Sequence, residues 1–226
     1  MDTDWFAQLL EDNGPPEQAM HPKPEHLAEL EGRLPEDLLA FWRRYGIGMW
    51  KQGKFQFCLP QHFNPVVDRI FTGDAQLTPN ETHIVGFSAF GELLAWNEQH
   101  QRLSINLPLL AVRVPKFNED KPGKSYPVAI PLNRLEFDNS FNFFEDTPEA
   151  EPLFSRARKR LGELSLGECY GFVPALPLGG PARLDHLQRM DALVHFSFLA
   201  DLGRCRLFVR PAPGAQEIVV RPIGNS

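Results

Sequence analysis

Prolines are spread along the whole sequence, and they limit the length of every regular element. The chain has 21 prolines among 226 residues, which is about twice the usual share of roughly 5%. A proline has no backbone N–H to donate, so it stops a helix or a central strand. The sequence therefore predicts short helices and strands separated by firm stops, and it argues against a bundle of long helices.

Length and charge narrow the class of protein further. A chain of 226 residues can bury a sizeable core, and its length fits either one large domain or two small ones. The formal net charge of −6 disfavours direct binding to nucleic acid, because such binding depends on Lys and Arg neutralising phosphates. The sequence shows neither a leader segment nor an apolar run long enough for a membrane span. We therefore expect a cytoplasmic protein with no membrane contact, whose partner is basic.

The clearest helix pattern is LPEDLLAFWRRYG, at residues 34–46. Pro35 suits the first turn, acidic residues follow it, and Gly46 can end the helix in a left-handed conformation. Apolar residues recur at spacings of three and four, which predicts a helix packed on a core through one face. The residues on that face are Leu34, Leu38, Phe41, Trp42 and Tyr45.

The remaining patterns predict an α+β protein. Short apolar or alternating runs between residues 82 and 115 indicate an antiparallel meander, which follows a strand in KFQFCL. A helix is predicted for the segment PEAEPLFSRARKRLGEL. The longest helix is predicted for ARLDHLQRMDALVHFSFLADLG. The apolar stripe of that helix consists of Leu184, Leu187, Met190, Val194 and Phe198. Strands are predicted for three further segments, VAIPLNRLEF, RCRLFVR and EIVVRPI. We expect an antiparallel sheet with helices packed at one side.

A charged, Pro- and Gly-containing stretch suggests where the chain divides. FNEDKPGKSYP, at residues 117–127, has the composition of an exposed connection. We predict an N-terminal part at 1–117, a connection at 118–127 and a smaller C-terminal unit of helix and strand at 128–226. The two parts could still form one compact body.

The string YGFVPALPLGG, at residues 170–180, has the look of a ligand loop because it ends in two glycines. A phosphate-binding loop usually adds a Lys and a Ser or Thr, and this string has none of them. Its prolines also remove backbone donors that an anion would need. A structural turn after a buried strand is the better interpretation.

Cysteines and histidines offer weak support for catalysis. The three cysteines, Cys58, Cys169 and Cys205, are far apart, so we expect buried small side chains and neither a disulfide framework nor a zinc site. No histidine spacing matches a metal site. A Cys169 nucleophile served by His186 or His195 stays open as a minor hydrolase hypothesis. We otherwise expect no catalytic residue, no metal and no cofactor.

Acidic residues are distributed unevenly and suggest a binding surface. LEFDNSFNFFEDTPEAEP, at residues 135–152, mixes phenylalanines with carboxylates and contains no base. Apolar anchors inside a rim of one charge sign suit a protein interface, and an acidic rim orients a basic partner. The predicted contact residues are Glu136, Asp138, Phe143, Phe144, Glu145 and Asp146.

Two segments resemble known families. LPEDLLAFWRRYGIGMWKQGKFQFCLPQHFNPVVDRIF resembles the GAD-like domain, and the match covers about residues 1–110. GECYGFVPALPLGGPARLDHLQRMDALVHFSFLADLG resembles the C-terminal domain of type VI secretion immunity proteins, over about residues 148–211. The string YGFVPAL followed by LGG is the most specific part of that resemblance, although Arg183 stands where a small hydroxyl residue is expected.

The resemblance implies a cytoplasmic immunity protein of α+β fold, with a GAD-like N-terminal part. Its partner would be a cognate antibacterial effector, often a DNase, and binding would inhibit that enzyme by covering its DNA-binding surface. Such inhibition needs no catalytic residue. The alternative is an adaptor or binding module that has no toxin partner, and the hydrolase hypothesis comes third.

Overall fold

A computed structural model describes residues 4–114, 132, 151–210 and 215–224 of the chain. The predicted connection at 118–127 lies outside these residues, and so does the predicted strand in VAIPLNRLEF apart from Leu132. Within the described ranges, no helix combines the length and apolar character that a membrane crossing requires.

Helices and strands are short, as the prolines predict. The helices are α1 (Trp5–Asn13), α2 (Pro24–Ala28), α3 (Glu36–Tyr45), α4 (Pro60–Phe71), α5 (Leu153–Leu161) and α6 (Ala192–Asp201). The strands of the main sheet are β1 (Glu17–Met20), β2 (Ile47–Trp50), β3 (Phe55–Phe57), β4 (Thr82–Ser88), β5 (Glu92–Asn97), β6 (Gln101–Asn106), β7 (Ala111–Val114), β10 (Arg206–Val209) and β11 (Ile218–Pro222). A separate pair consists of β8 (Glu168–Phe172) and β9 (Leu187–Asp191).

The main sheet joins the two ends of the chain. Its order is β1-β2-β3-β4-β5-β6-β7-β10-β11. Neighbouring strands are antiparallel except β7 and β10, which pair in parallel with Val112 beside Leu207. The C-terminal strands therefore extend the sheet that the N-terminal part begins.

Both faces of the central strands are buried. Along β5, Leu93 packs with α4 and α6 in one cluster, whereas Leu94 and Trp96 pack with α1, α2 and α3 in another. Successive side chains of a strand point to opposite faces, so the continuous apolar run places core on each side. The α+β class with a mostly antiparallel sheet is confirmed, and the helices are divided between the two faces.

A third cluster packs α5 and β8 against Ala89 and Phe90, which follow β4. Phe154 of α5 and Tyr170 of β8 lie against Phe90, with ring centroids 6.5 Å and 6.0 Å from that ring. The fully buried Gln56 of β3 donates to the carbonyl of Glu168 at 2.8 Å and accepts from the Gly167 N–H at 2.7 Å. The division of the chain into parts at 118–127 stays a prediction.

Several predicted elements are confirmed and one is wrong. The helix ending at Gly46, the meander and the final strands all form. The predicted long helix is wrong: a 3₁₀ turn covers Leu184–His186, strand β9 follows it, and α6 begins only at Ala192. Strand β9 forms because it pairs along its length with β8, from Glu168↔Asp191 to Phe172↔Leu187.

Candidate functional site

The six contact residues predicted from the acidic and aromatic segment lie outside the described residues. These are Glu136, Asp138, Phe143, Phe144, Glu145 and Asp146. Their role in binding therefore stays a prediction. The described part of the chain offers a different surface, built from the loop after β8 and the outer side of α6.

The loop after β8 is closed tightly on itself. Val173 donates to the carbonyl of His186 at 2.7 Å, and Gly180 donates to the carbonyl of Ala175 at 3.1 Å. A Cβ atom at Gly180 would lie only 1.8 Å from the carbonyl oxygen of Pro174. Glycine is therefore required at this close approach, and YGFVPALPLGG is a strand followed by a compact turn, as predicted.

Helix α6 supplies the other side of the surface. The Asp191 carboxylate accepts a hydrogen bond from the Val194 N–H at 2.9 Å and caps the helix. Phe196 and Leu199 are buried in the core. Val194 and Phe198, four residues apart, face outward and are 69% and 46% exposed. The helix therefore shows apolar side chains on both its inner and outer sides.

The loop and the helix enclose what we call the apolar groove, a cavity of about 440 Å³. Asp191 is the charged residue in its lining among the described residues, and that carboxylate is already engaged by the helix. Val173 and Leu178 add further exposed apolar surface, at 41% and 60%. The groove is lined by Phe172, Val173, Pro174, Ala175, Leu178, Met190, Asp191, Val194, His195 and Phe198.

His195 forms a neutral wall of the groove. Its side chain is largely buried, and a Cβ atom at Gly171 would lie 2.6 Å from its Nε2 atom. Burial lowers the pKa of His195 to about 4, so the imidazole is uncharged at pH 7. The groove therefore presents apolar surface to a partner and offers little charge for recognition.

The cysteines are buried, as predicted from the sequence. Burial, reinforced by the Asp191 and Glu168 carboxylates, raises the pKa of the Cys169 thiol well above its ordinary value. Burial also raises the pKa of Cys205 to about 12. A thiol held in its protonated form is a poor nucleophile, which weighs against the hydrolase hypothesis.

The histidines of that hypothesis have structural positions. Nδ1 of His186 lies 3.0 Å from the carbonyl oxygen of Val173, where it supports the loop. His186 is in the 3₁₀ turn, so the prediction that it shares a helix with His195 is wrong. The described residues include no group of three or more His, Cys, Asp or Glu side chains placed to hold a metal ion.

Sequence reasoning missed this surface because it assigned the wrong helix. A helix through residues 182–203 would place Val194 and Phe198 on the buried stripe, yet both are exposed. Asp191 is the sequence signal that could have corrected the register, since an Asp before an apolar helical run marks an N-cap. No local sequence pattern indicates that Val173 and Leu178 are exposed.

Comparisons with known proteins agree on one architecture. The GAD-like domain matches residues 4–109, and the C-terminal domain of the T6SS immunity protein Tdi1 matches residues 133–203. The crystal structure of Atu4351 from Agrobacterium tumefaciens aligns with a TM-score of 0.88 at 33% sequence identity, over 98% of this chain and 99% of that one. The chain belongs to the family in which a GAD-like domain precedes the C-terminal domain of the T6SS immunity protein Tdi1. The comparison with curated proteins found no match.

The described lining of the apolar groove falls inside the matched immunity domain. Each described residue that lines it lies between Phe172 and Phe198, within the match at 133–203. The string YGFVPALPLGG contributes Phe172, Val173, Pro174, Ala175 and Leu178 to one side of the groove. Helix α6 forms the other side, and both sides lie within the match to the immunity domain.

Proposed function

We propose that this immunity protein binds a cognate DNase effector through the apolar groove and keeps DNA out of the active site of that enzyme. Family membership supports the role in outline, which is protection against a type VI secretion effector. The groove is the observation that carries the proposal, because it exposes several large apolar side chains within the matched domain. The immunity protein would bind the effector in the cytoplasm, where the DNA of the cell is found.

The groove has the properties of an anchoring site. Contiguous exposed apolar surface on a folded protein usually marks an interaction site. Binding energy at such sites concentrates in a few buried side chains, and the closed loop and capped helix hold the groove in shape before binding. A preformed surface loses little conformational freedom when a partner arrives. An apolar segment of the effector would fill the groove and exclude water.

Charge supports a basic partner such as a nuclease. Residues 1–48 contain ten acidic and four basic side chains, and the whole chain carries a net charge of −6. Enzymes that bind DNA carry Lys and Arg to neutralise phosphates, so an acidic protein attracts them over a distance. The segment containing Glu136, Asp138, Phe143, Phe144, Glu145 and Asp146 is proposed to contribute to the same interface.

One substitution separates the groove from the rest of the surface. Val194→Asp places a charge in the groove while keeping the helix intact, because an acidic residue in the first turn is favourable there. We expect binding of the effector to weaken by about 30-fold or more, the effect of losing an anchor worth about 2 kcal/mol. Purified effector from the neighbouring gene, tested for plasmid cleavage and binding, provides the measurement.

Ile218→Asp is the matched control. Ile218 is 52% exposed on strand β11 and lies outside the match at 133–203. The Ile218→Asp substitution should therefore leave inhibition unchanged. Equal inhibition by the wild type and the Val194 variant would move the interface elsewhere. Cleavage of a polymer other than DNA by the effector would refute the DNase assignment, and a neighbouring gene with no toxic product would favour an adaptor.

A further inference from the structure

A second cavity, of about 380 Å³, lies where the predicted N-terminal and C-terminal parts of the chain meet. Its volume falls within the range of about 300–1,000 Å³ that is typical of small-molecule sites. One side is formed by residues 20–23 and α2, and another by the start of α4. Leu166 and Gly167, which precede β8, complete it. The apolar floor consists of Ile47, Phe57, Cys58, Phe63 and Phe87.

The polar side chains that line this junction cavity are mostly basic. Its ionisable side chains, among the described residues, are Lys23 and three histidines, His21, His26 and His62, besides the buried Cys58 thiol. The side chain of Gln56 also lines the cavity but is occupied by the backbone of Gly167 and Glu168. No carboxylate of the described residues is part of the lining.

One buried polar atom at the cavity lacks a partner. Nδ1 of His26 is shielded from solvent and makes no hydrogen bond within the described structure, although buried polar groups nearly always have one. Two carboxylates lie outside the lining: Glu25 Oε1 is 4.0 Å from Lys23 Nζ, with both side chains well exposed, and Glu29 accepts from Gln61 at 3.2 Å. Neither contact involves the His26 imidazole.

We propose that the junction cavity binds a small apolar carboxylic acid in its ionised form. The aliphatic or aromatic body would lie against Phe57 and Phe63, and the carboxylate would accept hydrogen bonds from His26 and the other basic groups at the rim. A carboxylate needs only a few donors and carries one charge. A phosphate would call for more donors, usually arginines or successive backbone N–H groups. An amine would meet the ammonium group of Lys23 and no carboxylate among the described lining residues.

Binding would also join the two parts of the chain. The walls come from the N-terminal sheet, from α4 and from the loop at Leu166–Gly167, so a bound acid contacts all of them at once. A ligand that binds only the folded state raises its stability. The proposal does not depend on the effector, since no described residue lines both the junction cavity and the apolar groove.

Octanoate titrated into the full chain by calorimetry tests the proposal. We expect saturable binding of octanoate, and binding at least about tenfold weaker for 1-octanol and octylamine, which share the chain but lack the carboxylate. His26→Ala should weaken octanoate binding by about tenfold. His186→Ala, a histidine of the loop near the apolar groove, is the matched control and should have no effect.

A filling variant provides a second test that does not depend on His26. Leu166→Trp should occupy the junction cavity and abolish octanoate binding, with circular dichroism confirming that the variant is folded. No saturable binding of octanoate to the wild type would overturn the proposal. Equal affinity for 1-octanol, or unchanged binding by both variants, would overturn it as well.

Discussion

Replacing Asp74 with asparagine should lower the free energy of unfolding by about 2 kcal/mol at pH 7. The Asp74 side chain is 1% exposed and forms a bidentate ion pair with Arg221 of β11, in which Nη2 lies 2.9 Å from Oδ1. Its carboxylate also accepts from the backbone N–H groups of Gln76, Leu77 and Gly224. This cluster connects the end of the chain to the loop after α4.

The pH dependence follows from the pKa of this carboxyl. Burial opposes ionisation, but the hydrogen bonds from Arg221 and the three backbone groups outweigh it and lower the pKa of Asp74 from 3.8 to about 2. A lowered pKa in the folded state stabilises the fold at every pH above the unfolded value. That contribution is lost as the pH falls from about 4 through about 2. The shift corresponds to about 2 kcal/mol.

Urea denaturation at a series of pH values is the appropriate assay. The difference between the wild type and Asp74→Asn should be greatest at pH 7 and should narrow below pH 4. Asp201→Asn is the matched control, because Asp201 pairs with Arg69 at 3.1 Å with a side chain 60% exposed, and such surface pairs contribute at most about 1 kcal/mol. A difference for Asp74→Asn that stays constant from pH 7 to pH 2 would refute the reasoning.

Two further predictions concern the buried groups. Gln56→Ala should reduce stability by about 2–3 kcal/mol in chemical denaturation, because it leaves the Gly167 N–H and the Glu168 carbonyl without partners. The control is Gln8→Ala in α1, where the half-buried Gln8 side chain donates to Asp12, and an equal effect of the two substitutions would contradict this. The thiols of Cys58, Cys169 and Cys205 should react with Ellman's reagent only as the protein unfolds. Rapid reaction of the native protein would show that a cysteine is accessible.

Local patterns predicted a large part of the fold. Helix α3 formed as expected because its apolar stripe, its acidic first turn and Gly46 all agree. The meander β4 to β7 was visible because its short apolar runs are separated by Gly91 and by the polar Asn97–Gln101 segment. In both cases, the residues that determine the structure lie close together in the sequence.

Residues 182–203 show where local patterns mislead. Apolar residues at helical spacing predicted one long helix, but Leu187–Asp191 pairs with β8 instead. The strand gains backbone hydrogen bonds from a segment about 20 residues away, and such tertiary contacts override helix propensity. The misplaced helix concealed the apolar groove, since it assigned Val194 and Phe198 to the core.

The sequence by itself determined the net charge, the short elements, the end of helix α3 at Gly46 and the family resemblance, because each depends on composition or on neighbouring residues. The tertiary structure decided the parallel pairing of β7 with β10, the exposure of the apolar groove and the enclosure of the junction cavity. These depend on surfaces brought together from distant parts of the chain, and burial is a property of the packed molecule that no single segment carries.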